Sequence, residues 1–449
     1  MSHALVPPPL PRRAAAALVP ALPLVAVVVL AGLPPTGDGA GPADVVSALV
    51  VGYCVIRLLR ERRRPLSPVA AVVLGLPVVG LALAAMGAAS PQEALDGLSR
   101  YLQIFVLVPA AVLVLLRGRA DFRVLAWSFV GLALWQGAVG VHQYVTGTGA
   151  SYQGETVRAV GTFGATDVMG MATAVSLGVV CAAGIALGRA PVRQRAAAAG
   201  CALLLVLPLA LSFSRGAWIA TALACTVQLA LAGLRRALKV AAAVVAAGVV
   251  LTGGFGVGTA MLQERIDSIT EVTDTPDQSV VDRYTLWAAA TGMWREHPLT
   301  GVGLKGFPEY RDGHATLALS SGSDIEGAGE EYHKQALLSP HSMYLLVLSE
   351  QGLIGLLTLA GGWLALLVCA LRRLLRARRG PGLDCALVAV GLLLWLLTDF
   401  VYGDIGGPST VLTGVALGLT AWWALSRDDR PHTARRDEAS ERVEEAATR

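Results

Sequence analysis

An all-α fold that crosses a membrane many times is predicted by three features of this 449-residue sequence. Apolar runs recur from end to end, each near the roughly 20 residues that cross about 30 Å of hydrocarbon. Charged residues make up only 15% of the chain, with 54% hydrophobic. Arginines, finally, cluster in alternate connections between the apolar runs, the asymmetry that insertion imposes on a polytopic protein.

Taken in order, the runs place twelve spans at 14–33, 45–59, 67–87, 101–116, 122–140, 166–187, 196–213, 217–234, 240–261, 352–371, 384–402 and 408–425. The first lacks a small-residue cleavage signal and is too long for a signal-peptide core, so it reads as a span. Arg12–Arg13, Arg57–Arg64, Arg117–Arg123, Arg189–Arg195, Arg235–Lys239, Arg372–Arg379 and the tail all fall on one side. That side holds 27 of the 36 basic residues; the other nine are Arg100, Arg158, Arg215, Arg265, Arg283, Arg295, Lys305, Arg311 and Lys334. The basic side is therefore expected to be cytoplasmic, with both termini inside a plasma membrane.

Domain organisation follows. Residues 1–13 form a cytoplasmic N-terminus, 14–261 carry spans one to nine, and 262–351 form a large outer loop. Spans ten to twelve occupy 352–425, and 426–449 form a charged tail of disordered composition. The stretch 262–339 holds thirteen carboxylates against six basic residues, so the large loop is net acidic. Within it, Ser279–Glu296 has helical spacing, with Val280, Tyr284, Trp287 and Ala288 on one side. His297-Pro298 ends that helix, and Gly301–Gly306 reads as a turn-rich connector. Asp312–Gln335 is polar and glycine-rich, a flexible lid or an inserted segment. Ser339 as N-cap and Pro340 as first helical residue then predict a helix start. His341 and Ser342 would lie in its first turn, where free backbone N–H groups favour an anion.

Chemistry is expected at the outer boundary. The six cysteines lie in or beside apolar spans, so neither a disulfide framework nor a CxxC site is readable. The outer histidines lack metal-ligand spacing, and His297, His314 and His333 receive no role. The modest net charge of +4 says nothing of nucleic acid. Arg158, Arg215 and Arg283 run against the insertion bias. Each could snorkel or pair with a carboxylate such as Asp167 or Asp282. Together, beside a helix start carrying a histidine, they could equally form a pocket for a membrane-bound pyrophosphate, since guanidinium forks match phosphate oxygens bidentately. Asp399, inside the outer third of its span, is expected to act as counter-ion to an arginine such as Arg215.

At these residues the chain resembles the O-antigen ligase family of bacterial envelope glycosyltransferases. His341-Ser342, nine residues, then Gly352-Leu353-Ile354-Gly355 fits the family's histidine motif. Arg283 through Phe307, ending HPLTGVGLKGF, looks like its arginine, tryptophan and P-x-x-G-x-G segment. Ser214-Arg215-Gly216 and the stretch from Arg158 to Phe163 occupy corresponding outer turns. The likeness covers residues from about 100 to 425.

The resemblance implies a GT-C-like membrane transferase that uses neither metal nor cofactor. Its donor would be an undecaprenyl-pyrophosphate-linked glycan, and its acceptor a hydroxyl on an envelope glycan or lipid. His341 would be the catalytic base, with Arg158, Arg215 and Arg283 holding the pyrophosphate. A polymerase joining repeat units on the same carrier shares these motifs and stays open. A transporter is the third reading; it should show helix breaks and polar residues near mid-membrane, whereas the polar candidates here lie at the outer ends of the spans.

Overall fold

A computed structural model describes residues 21–33, 41–61, 66–152, 154–233, 278–378, 380, 382–407 and 409–426. The expected ninth span, 240–261, and the expected tail lie outside them. Each of the other expected spans coincides with a helix. These are α1 (Leu22–Leu30), α2 (Pro42–Glu61), α3 (Pro68–Met86), α4 (Pro91–Leu115), α5 (Arg119–Thr146), α6 (Gly170–Leu187), α7 (Val192–Leu211) and α8 (Arg215–Ala232). After α9 (Gln278–Glu296) and α10 (Phe307–His314) come α11 (Met343–Ala377), α12 (Leu383–Asp399) and α13 (Thr410–Leu425). Among the described residues, eight helices are long and apolar enough to cross a membrane.

Helix starts follow local chemistry. Ser67 and Ser90 accept the N–H of Ala70 and Glu93, and each is followed by proline at the first helical position. Once formed, the helices sort by sequence pattern. α6, α12 and α13 are apolar all round and lie at the centre of the bundle, buried along nearly their whole length. The few polar groups there reach across to neighbouring backbones. Gln228 donates to the carbonyls of Val180 and Leu387, both at 3.0 Å, and Trp395 donates to Thr221. Leu49, Leu59, Leu203 and Leu204, on α2 and α7, are exposed, as lipid-facing leucines should be.

The all-α expectation holds for the bundle, with a small addition outside it. Strands β1 (Ala150–Tyr152), β2 (Glu155–Arg158), β3 (Ser323–Gly327) and β4 (Glu330–Gln335) form an antiparallel sheet in the order β2-β1-β3-β4. Asp312–Gln335, read as polar and glycine-rich, contains a β-hairpin. Its hairpin pairs Ala150 with Gly327 and so joins two outer loops far apart in sequence. The expected helix over Ser279–Glu296 is present as α9. Asp282, Thr285, Leu286, Ala289, Ala290 and Met293 face inward, whereas Tyr284 and Ala288 are exposed.

One break positions the site. α11 is interrupted at Gly352, whose φ of 64° and ψ of −165° leave the helical region. A break orphans backbone groups on both sides, and buried groups need partners. The 298–303 loop supplies them. Val302 and Gly303 donate to the carbonyls of Ser349 and Glu350, while Leu353 and Ile354 donate to Pro298 and Leu299. The strands of backbone approach so closely that only glycine fits. A Cβ at Gly352 would lie 2.3 Å from the Leu299 carbonyl carbon, and one at Gly301 would lie 2.4 Å from the Glu350 carbonyl carbon. The two glycine-bearing motifs, separate in sequence, are two halves of one joint.

Candidate active site

Helix α11 begins later than the sequence suggests. His341 adopts a left-handed conformation with φ 49°, Ser342 occupies the N-cap position without a capping side-chain bond, and the helix starts at Met343. The Ser339 hydroxyl accepts the N–H of His341, 3.3 Å away, rather than capping a helix. The Met343 N–H is already taken by the carbonyls of Phe400 and Gly403. His341 and Ser342 therefore precede the first turn, and His341 projects from a strained corner. That corner is braced on two sides. Trp287 Nε1 donates to Pro340 O at 2.9 Å, and Tyr344 Oη donates to Leu397 O at 2.8 Å.

Around His341 the structure gathers charge. Burial pushes the imidazole below the ordinary histidine range; Asp404 opposes this and Arg283 adds to it. Burial likewise lowers Arg283, where Tyr402 and Asp404 oppose and the Arg215 cation reinforces the shift. Arg283 and Arg215 thus lie within electrostatic reach of one another, and Arg283 within reach of His341 and Asp404. Arg215 is the exposed first residue of α8, capped by Ser214, whose side chain accepts the Ala217 N–H. A cation at a helix N-terminus opposes the helix dipole at a cost of about 0.3–1 kcal/mol. An anion bound there would be favoured by both.

Arg158 stands on the other flank of the same turn. It ends β2, and its Nε donates to Ser212 O at 3.1 Å, while Tyr152 stacks on Phe213 with ring centroids 4.8 Å apart. Burial lowers its pKa, with Tyr152 opposing. Arg215, Arg283 and His341 are brought together; Arg158 adjoins them through the Ser212–Ser214 turn.

Asp282 and Asp167, named from the sequence as carboxylates that could pair with these arginines, are engaged elsewhere. Asp282 accepts from Gln278, from Ser320 N and from Ser320 Oγ, the last at 2.6 Å. Asp167 accepts from Ser409 N, and burial raises its pKa to about 6, with bonds from Ser409 and Gly170 opposing. Nor is Asp399 the counter-ion of Arg215. It makes no ion pair among the described residues, and the charge it feels is that of Asp404. Asp404 was missed at the sequence level. It lies in the Gly403–Gly407 connection between α12 and α13, an acidic residue in a short outer turn. The reasoning that singled out Arg215 in its turn would have found it. Among the described residues no group of three histidine, cysteine or acidic side chains could hold a metal ion.

Residues 200–360 match the family model described as O-antigen ligase. Over this segment the chain is similar to the O-antigen ligase family. The matched segment contains Arg215, Arg283, His341 and both halves of the glycine joint; Arg158 and Asp404 lie outside it. No curated protein matches the chain. The match supports a membrane enzyme of the O-antigen ligase or polymerase type, and the long apolar helices make the chain multi-pass.

Proposed function

We propose that the chain transfers a glycan from an undecaprenyl-pyrophosphate-type carrier to an acceptor hydroxyl at the outer face of a bacterial plasma membrane. The carrying observation is Arg283, within reach of His341, Asp404 and Arg215 at once, with no ion pair on either arginine among the described residues. In this reading His341 takes the proton of the acceptor hydroxyl. The acceptor oxygen bonds to the anomeric carbon, the bond from that carbon to the pyrophosphate breaks, and its electrons leave with the phosphate. Arg215 and Arg283, with Arg158 alongside, neutralise the charge that develops there. Asp404 faces the imidazole and stabilises the imidazolium that forms. The basic ends of the helices face the cytoplasm, both termini lie inside, and no metal takes part.

Purified protein in nanodiscs, given a polyprenyl-pyrophosphate-linked glycan and an acceptor, tests this. Transfer should persist in EDTA. His341→Ala and His341→Gln should each lower the rate about 10²-fold or more, the usual share of positioned proton transfer, while donor binding remains. Neutral imidazole is needed and its pKa is depressed, so activity should hold as pH falls to about 6.5, the unperturbed histidine value, and decline only below it. Full activity in His341→Gln would sink the base assignment, and loss in EDTA restored by one metal would sink metal independence.

A further inference from the structure

One short turn carries Arg215 into the site, and its sequence is unusual for its shape. α7 ends at Leu211 and α8 begins at Arg215, so Ser212, Phe213 and Ser214 alone connect them. Phe213 follows the C-cap residue Ser212 and takes φ 51°, in the left-handed region. Glycine is the usual residue at that position after a helix, because it adopts the conformation freely. A bulky aromatic residue there is strained, and such strain persists only where the surroundings hold it in place.

The surroundings are the outer sheet. Tyr152, the last residue of β1, stacks on the Phe213 ring with the two planes only 10° apart. From β2, Arg158 Nε donates to Ser212 O at 3.1 Å, and Ala159, the next residue, donates its N–H to Leu211 O, also at 3.1 Å. Leu211, Ser212 and Phe213 are thus all tied to one edge of the sheet. Ser214 then caps α8 by accepting the Ala217 N–H at 3.4 Å. The sheet itself is closed from far along the chain. Ala150 pairs with Gly327, and the Ala328 N–H donates to Gly149 O at 3.0 Å. A glycine at position 213 would remove the strain but could not stack. The ring supplies something the turn's shape does not need, a flat contact two residues before Arg215.

We infer that Phe213 and Tyr152 are positioning residues that aim Arg215 at the pyrophosphate, with the Ser323–Gln335 hairpin holding Tyr152 in register. The inference rests on the reading of Arg215 as a pyrophosphate ligand. Arg215 is exposed and makes no ion pair among the described residues, so its direction is set by the backbone that carries it. A guanidinium meets phosphate as a two-pronged fork, and a fork works only when its stem points the right way. Displacement of a positioning contact by about 1 Å can cost about 10²-fold in rate.

Full-length protein in nanodiscs tests this with three readings: unfolding temperature, affinity for a short polyprenyl pyrophosphate that carries no glycan, and glycan transfer. Phe213→Gly relieves the strain and removes the stack. Its unfolding temperature should stay level or rise, while affinity and transfer each fall about tenfold, within the range that misplacement can cost. A merely structural stack would leave both near wild type in the folded protein. Tyr152→Ala should weaken pyrophosphate binding, and Tyr152→Phe, which keeps the ring, should bind more tightly than Tyr152→Ala. In the double variant Phe213→Gly with Arg215→Lys the two losses should not multiply, because both act through one guanidinium. Wild-type affinity in Phe213→Gly, equal affinity in the two Tyr152 variants, or losses that multiply would overturn the inference. Wild-type protein that binds the pyrophosphate lipid but transfers no glycan would instead overturn the proposed function and leave the aiming of Arg215 standing. Wild-type protein that does not bind it would overturn both.

Discussion

The two ends of the helix bundle treat arginine differently. At the end expected to face the cytoplasm, Arg123 forks onto Asp384 with contacts of 2.5 and 3.1 Å, and Asp384 is 1% exposed. Arg373 donates to the carbonyls of Trp423 and Ser426 and lies 5.0 Å from the centroid of the Trp423 ring. Arg195 donates to Ala186 O. At the other end Arg215 and Arg283 make no ion pair among the described residues, although acids are close by. The contrast is not a rule of that end, since Arg100 there pairs with Asp44 at 2.5 Å. Where an arginine serves the fold, its partner is built in. In the proposed function, the arginines around His341 are left for a partner that is not part of the chain.

This contrast can be broken from either side. The largest effect is expected from Arg123→Ala, which strands a buried carboxylate. Removing one partner of such a pair costs about 3–5 kcal/mol. Thermal unfolding in detergent should show the loss, while transfer per folded molecule stays near wild type. Arg283→Ala should do the reverse. Transfer should fall about 10²-fold, as when one preorganised anion-stabilising donor is removed, with the unfolding temperature little changed. The same experiment on Arg215→Lys asks for less. The charge stays and the fork goes, so a loss of about tenfold is expected from the weaker, unpaired geometry. An unfolding defect in Arg283→Ala without a kinetic one would place it with Arg123.

The smallest perturbation tells which end is outside. With the native cysteines replaced, Glu331→Cys on exposed β4 should react with an impermeant thiol reagent in intact cells. Ala377→Cys, at the far end of α11, should react only after the membrane is opened. The opposite pattern would invert the orientation and remove the site from the outer face.

Much of this was legible in sequence because a bilayer makes harsh demands. Apolar length predicted the spans, and helices stand at each expected span that falls among the described residues. The histidine and arginines were legible as residues out of place. What could not be read was mostly backbone. Ser339-Pro340 is a proper helix start by local chemistry, yet the carbonyls of Phe400 and Gly403, about sixty positions on, hold Met343 and delay the helix. The inward face of α9 could not be read from its aromatics, because Tyr284 and Trp287 look like core residues. Tyr284 is instead exposed, and Trp287 is turned to Pro340. Strand pairing between Ala150 and Gly327 leaves no periodicity in segments so short.

The joint at Gly352 has a consequence for the enzyme's relation to its bilayer. An unbroken helix of 35 residues would be about 52 Å long at 1.5 Å per residue, far beyond the hydrocarbon thickness. Below the break, Leu353–Ala377 alone is long enough to cross, with some tilt. Membranes differ in thickness, and spans answer by tilting. Such tilting is taken up beyond the joint, because Ser349 and Glu350 above it and Leu353 and Ile354 just below it are all hydrogen-bonded to the 298–303 loop. The height of His341 is thus referenced to the protein's own backbone rather than to the lipid, and a change of lipid composition alters how the bundle leans without altering what the histidine faces.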